Sequence, residues 1–474
     1  MQISWISSLF GRSADGDYSR PVLTIALLLG LFVRLAILWQ TPNLGTKIVD
    51  EQQYSQIAVN IVAGHGFGWA PGDLTSIRPP LYPGLLAAIW GAAGGQNLQA
   101  VRVVQILLAL ATTALVYLLG ARVYGQAVAR WAAAVCWLYP SFIFFNFLIL
   151  TETLFTFLLV AFVLLTILTV QTPRAWVALA CGLALGLAAL TRSILWPVPL
   201  ILCPLLAFLI RAPLSRRIAL PCLVLAGYAL VVAPWAIRNT ELQGVVTIVD
   251  TMGGMNLRMG NYEYTPDDRM WDAVSLRGEK SWVHGLSSDL PGQSITEGQK
   301  EKWAQRKAIA YMRANPLVTL RRSFIKFADF WGLEREFVAG VQNGLYTPPA
   351  WFQVIGSLAI LLGYVAIVIA GAAGMWLAAP RDWRVHILLL LPVVLITGAH
   401  TIVFGHSRYH LPLMPIFAVY GAALLAARAP AYRFSYRPVL VGAAVTVTVL
   451  LSVWIRQIAL SDFARITAML GHAG

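Results

Sequence analysis

Residues 76–95 read SIRPPLYPGLLAAIWGAAGG, an apolar stretch interrupted near its start by Pro79, Pro80 and Pro83. About 15 apolar residues follow the double proline, too few for a helix to cross a hydrocarbon core of ~30 Å. The stretch therefore reads as an interfacial or re-entrant helix. That reading decides the topology. If it were a full span, every later loop would change sides and the basic loops would fall on the wrong face.

Outward from this stretch the chain is dominated by apolar runs of about 18 to 25 residues, the length that crosses a bilayer as a helix. Of 474 residues, 58% are hydrophobic and 12% charged, against about 25% charged in soluble domains. Short alternating segments, the mark of a membrane barrel, are absent. The expected fold class is an all-α polytopic membrane protein. It has about eleven transmembrane helices, interfacial helices in the first outer loop and a larger outer segment between spans seven and eight. The net charge of +14 sits in short patches between spans, a positive-inside distribution rather than a nucleic-acid surface. Cys136, Cys181, Cys203 and Cys222 lie in or beside apolar runs and read as small hydrophobes, not disulfides or a zinc site. The first residues lack a compact apolar core followed by a cleavage site, so the first span reads as a retained anchor.

Arg12 and Arg20 precede the first span, Pro21 to Gln40, which places the N-terminus in the cytoplasm. Span two is Val101 to Gly120, and span three runs to about Phe147. The basic stretches at Arg122 and Arg130, at Arg174, in RAPLSRR, in APRDWR and in ARAPAYRFSYRP then all fall inside. The chain divides into an N-terminal catalytic module (1–238, with the outer loop 41–98), an outer segment (239–350) and C-terminal spans (351–474). This threading puts the candidate site residues on the outer face of the membrane.

Acid is scarce, with 21 acidic residues against 35 basic ones, so adjacent Asp50 and Glu51 in IVDEQQYSQIA need an account. Under this topology they share the outer face with Arg78, Glu152, Arg192, Arg238, Asn239, His406, Arg408, Tyr409 and His410. Each has an ordinary role open to it. The acids could cap the helix that begins near Gln52. Glu152 could be solvated at the head groups, and the arginines could snorkel. Jointly they are what chemistry on an anionic lipid head would use. A carboxylate can take a proton from an acceptor hydroxyl, and arginine pairs with phosphate. No Walker loop or dinucleotide fingerprint is present, so an activated lipid phosphate would supply the energy. Asp50 is the candidate base; Glu51 would bind a metal, an arginine or the acceptor.

These stretches resemble the C-superfamily (GT-C) of polyprenyl-phosphate-sugar-dependent glycosyltransferases. Within it they are similar to the family 39-like branch of protein O-mannosyltransferases and lipid A aminoarabinose transferases. The matching pieces are DEQQYSQIA, SIRPPLYPGLLA, LTETLF, GLALGLAALTR, PWAIRN, GGMNLRMGN and GHSRYHLPLMP, in that order. The resemblance implies an inverting glycosyltransferase that moves a monosaccharide from an undecaprenyl-type phosphate to an acceptor hydroxyl on a lipid, glycan or protein. It implies Asp50 as base with Glu51 beside it, Tyr54 on the same helix face, and Arg78 at the basic position before the prolines. It further implies Glu152 at a second acidic position and Arg192, Arg408 and His410 at the phosphate. Some relatives use a divalent metal (Mg or Mn) and others do not; Asp50 and Glu51 are the candidate ligands. The competing readings are a flippase or transporter of lipid-linked sugars and a ligase or polymerase acting on pyrophosphate lipids. In the segment that follows span seven, residues 295–331 predict a helix, a break at Asn315-Pro316, and a basic amphipathic helix. Its Arg321, Arg322 and Lys326 would either rest on lipid phosphates or form a solvated basic face.

Overall fold

The computed structural model describes residues 18–267, 269–292, 294–426 and 437–462. Arg12, the stretch 427–436 and the C-terminal tail lie outside them. From the N-terminus, α1 (Ser19–Gln40) leads into a loop carrying α2 (Val49–Val62), the antiparallel hairpin β1 (Gly68–Ala70) and β2 (Asp73–Leu74), and α3 (Leu81–Ala92). Next come α4 (Leu98–Val123), α5 (Gln126–Leu138), α6 (Pro140–Phe145), α7 (Glu152–Gln171), α8 (Ala175–Ala189), α9 (Pro199–Leu209) and α10 (Leu214–Gln243). A polar segment holds α11 (Gly253–Gly260), α12 (Trp282–Asp289), α13 (Glu297–Ala314), α14 (Pro316–Phe330) and α15 (Glu336–Gln342). The described chain closes with α16 (Ala350–Leu377), α17 (Trp383–Ile402), α18 (Met414–Ala426) and α19 (Arg437–Gln457).

Among the described residues seven helices, α1, α4, α7, α10, α16, α17 and α19, are long and apolar enough to cross a membrane. The other four expected spans are shorter apolar pieces: α5 continued by α6, then α8, α9 and α18. Prolines account for two of these breaks. Pro140 restarts the helix after α5, and Pro199 and Pro204 shape α9. At 12 residues α3 is too short to cross, as its prolines predicted. The hydrophobic pattern thus located seven spanning helices among the described residues, and the other four expected spans coincide with apolar helices shorter than a full crossing.

The bundle is tightest at α8 and α10. A Cβ on Gly182 would come 2.0 Å from the Val224 carbonyl, and one on Gly227 would come 2.4 Å from that of Leu179. The glycines of GLALGLAALTR thus serve close backbone approach, as small residues do between membrane helices. The most enclosed long helix is α7, with 78% of its apolar window buried. Its first residue, Glu152, therefore opens a helix at the centre of the bundle.

A buried polar network fixes the segment that precedes α7. Gln105 donates to the carbonyls of Asn146 and Leu148 at 2.9 Å each and accepts from the Tyr82 hydroxyl at 2.9 Å. Arg102 donates to the Phe147 carbonyl at 3.1 Å and also to that of Leu44. Such groups would cost several kcal/mol each if left unpaired in an apolar interior, so together they hold residues 146–150 in one place.

The expected break at Asn315-Pro316 separates α13 from α14. The basic face of α14 differs from expectation. Arg322 turns inward and donates to the carbonyls of Tyr262 and Thr265 at 2.6 and 3.0 Å. Lys326, fully buried, donates to Asn261 and to the Ile402 carbonyl at 2.8 Å each. Arg321 pairs with Asp267 at 2.5 Å. The exposed face carries Leu317, Leu320 and Phe324 beside Arg321. Oxygens of the preceding segment and of the α17 end take the two inward cations, because α14 packs against α17 rather than lying free.

Candidate active site

Two adjacent carboxylates open α2, and the fold uses them differently. Glu51 is buried, and its carboxylate accepts the backbone N–H groups of Lys47 and Ile48 at 2.7 and 2.9 Å and that of Ile149 at 2.8 Å. It closes the helix start and ties α2 to the segment before α7, a structural anchor. Asp50 points the other way, into a cluster of cations. Its two oxygens meet Arg78 at 2.5 Å and Arg408 at 2.7 Å.

Arg408 continues the chain of charges. Its Nη2 is on Asp50 and its Nε lies 2.9 Å from Glu152 Oε1. The same Glu152 oxygen is 2.5 Å from Arg192. Five residues far apart in sequence thus form one zigzag, Arg78–Asp50–Arg408–Glu152–Arg192. Three guanidiniums against two carboxylates leave one net positive charge. Glu152 Oε2 has no partner among the described residues and borders a small buried cavity lined also by Arg34, Asn146 and Thr153.

Arg78 and Arg192 each have a second holder. Gln53, one turn into α2, accepts from Arg78 Nε at 2.9 Å, and the Arg78 guanidinium lies 5.2 Å from the Tyr54 ring. Arg192 donates to Thr151 Oγ1 at 2.9 Å and sits 5.5 Å from the Tyr409 ring. The Tyr409 ring in turn stacks on His400 at 4.5 Å. The loop bearing Arg78 is held from behind. Arg238 donates to the Thr75 carbonyl at 2.6 Å, Asn239 accepts from Ser76 Oγ at 2.9 Å, and Glu297 accepts from the Ser76 N–H at 2.7 Å. The Leu81 N–H donates to the Leu190 carbonyl at 3.0 Å, which fixes α3 beside the turn that carries Arg192. The RN of PWAIRN is thus scaffolding.

The electrostatics follow. Burial would raise the Asp50 carboxyl, but Arg408 and Arg78 outweigh it and hold Asp50 well below the usual carboxylate range. Asp250, which hydropathy gave no reason to notice, goes the opposite way. Burial pushes it up to about 6, against a hydrogen bond from Ser193, one from the Met252 N–H and the field of Arg78. Burial lowers the His406 imidazole, with Glu336 at 3.4 Å offsetting part of the effect.

Among the sequence candidates, the structure brings together Asp50, Arg78, Glu152, Arg192 and Arg408, with Tyr54 and Tyr409 as aromatic neighbours. His406 stands at the edge, its Nδ1 accepting the Arg408 N–H at 3.1 Å. Glu51 and His410 do not join the cluster. His410 has no exposed surface; its Nε2 is 3.1 Å from Glu334, its Nδ1 is 2.5 Å from the Phe330 carbonyl, and its ring stacks on Tyr364 at 4.7 Å. In this structure His410 therefore lies in the core and presents no exposed ring atom for the phosphate contact expected of it. Nor do Asp50 and Glu51 make a cation site, because Glu51 is spent on backbone N–H groups and Asp50 faces two guanidiniums. Among the described residues no three His, Cys, Asp or Glu side chains converge on a metal-sized point. Gln53 was missed, although its position three residues after Asp50 places it on the same helix face.

Residues 78–237 match the family model described as dolichyl-phosphate-mannose-protein mannosyltransferase. That stretch is about a third of the chain and contains Arg78, Glu152 and Arg192. The resemblance read from the sequence is borne out over those residues. The archaeal oligosaccharyltransferase AglB from Archaeoglobus fulgidus, in complex with an inhibitory peptide and a dolichol-phosphate, matches with 15% identity and a TM-score of 0.51. The match covers 93% of this chain and 56% of that one. An oligosaccharyltransferase from Archaeoglobus fulgidus in complex with Zn and sulfate matches with 16% identity over 91% of this chain and 52% of that one, at a TM-score of 0.51. ArnT from Cupriavidus metallidurans bound to undecaprenyl phosphate matches at 13% identity, covering 84% of this chain and 77% of that one, with a TM-score of 0.38. No curated protein matches the chain in sequence. The chain spans a little over half the length of the oligosaccharyltransferase whose polytopic helical fold it shares.

Proposed function

We propose that the chain is an inverting glycosyltransferase that moves a monosaccharide from a polyprenyl-phosphate donor to an acceptor hydroxyl at the periplasmic face of a bacterial inner membrane. The observation that carries this reading is the zigzag of three arginines and two carboxylates at the end of an apolar bundle. The net positive charge suits a lipid phosphate, and the surrounding helices suit its tail. Arginine pairs with phosphate oxygens by parallel hydrogen bonds, and low local dielectric strengthens each pair. Asp50 removes the proton from the acceptor hydroxyl, and the acceptor oxygen attacks the anomeric carbon. The bond from that carbon to the phosphate oxygen breaks, and Arg78, Arg408 and Arg192 hold the departing polyprenyl phosphate. Tyr54 and Tyr409 flank the arginines and shape the approach. The match to a mannosyltransferase family and the dolichol-phosphate held by the AglB neighbour support a lipid-phosphate donor.

The charged residues of the site lie at one end of the long helices rather than midway along them, unlike the broken-helix sites of transporters. The test uses purified protein in lipid nanodiscs with a panel of monosaccharide polyprenyl phosphates and, in parallel, oligosaccharide polyprenyl pyrophosphates. Release of polyprenyl phosphate from a monosaccharide donor is the expected result. Release of pyrophosphate lipid alone would replace this reading with that of a glycan ligase.

A further inference from the structure

Asp50 is held unlike Glu152. Glu152 is almost fully buried, and a single oxygen of it secures both Arg192 and Arg408. The Asp50 side chain keeps about a fifth of its surface exposed, and each of its oxygens takes a different arginine. Both of those arginines have other holders, Gln53 and Tyr54 for Arg78 and Glu152 for Arg408. Removing the carboxylate from between them would leave both in place. A phosphate bridging the same two guanidiniums through two oxygens would reproduce the contacts that Asp50 makes now.

We propose that Asp50 is an internal substitute for the donor phosphate. The incoming lipid phosphate displaces the carboxylate from Arg78 and Arg408, and only the displaced Asp50 acts as base. This rests on the lipid-phosphate reading of the site. In the clasped state Asp50 is a poor base, because two guanidiniums stabilise its anion. Once released it loses both cations and stands beside a phosphate, and both changes favour the protonated carboxyl. The acceptor proton then passes to Asp50, the acceptor oxygen bonds to the anomeric carbon, and the electron pair of the broken bond leaves on the phosphate oxygen. Asp50 returns its proton to water and reclaims the arginines as the product lipid departs. Base strength is thereby coupled to donor occupancy, and the empty enzyme carries no free base at the membrane surface.

The two carboxylates then have opposite effects on binding, which separates this device from simple damage. Undecaprenyl phosphate, without a sugar, is titrated against the full chain in nanodiscs for wild type, Asp50→Asn, Asp50→Ser and Glu152→Gln. Removing the competitor frees at least one charge-assisted hydrogen bond, so both Asp50 variants are expected to bind about tenfold tighter or more. Glu152→Gln unseats Arg192 and Arg408 and is expected to bind more weakly. Equal or weaker binding by both Asp50 variants, with wild-type binding intact, overturns the substitution and leaves the glycosyltransferase reading standing. Absence of binding by wild type and all variants overturns both.

Discussion

Arg408 joins the two halves of the site, and Arg408→Lys tests that joint. Its Nη2 is 2.7 Å from Asp50 and its Nε 2.9 Å from Glu152. A lysine ammonium is a single point on a flexible stem and cannot hold both carboxylates at those positions. The charge is kept, but the ammonium cannot stay on Glu152 and also donate at the position that Asp50 and the donor phosphate would share. A hydrogen bond to a charged group is worth ~1.5–3 kcal/mol. At ~1.36 kcal/mol per factor of ten, the loss lowers kcat/KM by about 10- to 100-fold. The assay is release of polyprenyl phosphate from a donor that the wild type turns over, run in nanodiscs with thermal unfolding alongside. Conserved charge and volume keep the fold, so the rate should fall further than the melting temperature would suggest. A variant within twofold of wild type would refute the claim that this guanidinium spans both acids at the reacting centre.

Other outcomes follow from neighbouring residues. His410→Ala should lower stability by about 3 kcal/mol through lost packing and hydrogen bonds, while leaving undecaprenyl phosphate affinity within about twofold in the folded fraction; a selective loss of affinity would return His410 to the phosphate site. Asp250 is raised from 3.8 to about 6 by burial, so its ionisation penalises the folded state increasingly as pH rises through that window. Asp250→Asn should therefore raise the melting temperature, with the gain growing between pH 4 and 6 and flat above; a gain largest at low pH would contradict the burial argument. A reporter active only in the periplasm, inserted at Gly45, should be active, and a folded but silent reporter there would invert the assigned sidedness.

Much of this was legible from residue type and order. The prolines of residues 76–95 stop a helix from crossing, and α3 is short for that reason. Scarcity of acid made Asp50 and Glu152 conspicuous, and both sit at the charged centre. What the sequence could not show was that Glu51 turns away from the site that Asp50 enters. Neighbouring residues on a helix start point about 100° apart, and which one faces the arginines depends on Ile149, distant in sequence, offering its N–H to Glu51. The basic stripe of α14 misled for a related reason: a cation that can reach a carbonyl of a packed neighbour turns inward. His410 carried no local sign that Phe330 and Glu334 would enclose it.

The central claim is that Asp50 accepts the acceptor's proton at a site built for a lipid phosphate. It is tested most directly by giving wild type and Asp50→Asn the same monosaccharide polyprenyl phosphate and measuring polyprenyl phosphate released per enzyme. Wild type should turn over, while the variant binds the lipid and releases at least about a hundredfold less product per unit time. Equal release by the two proteins would contradict it.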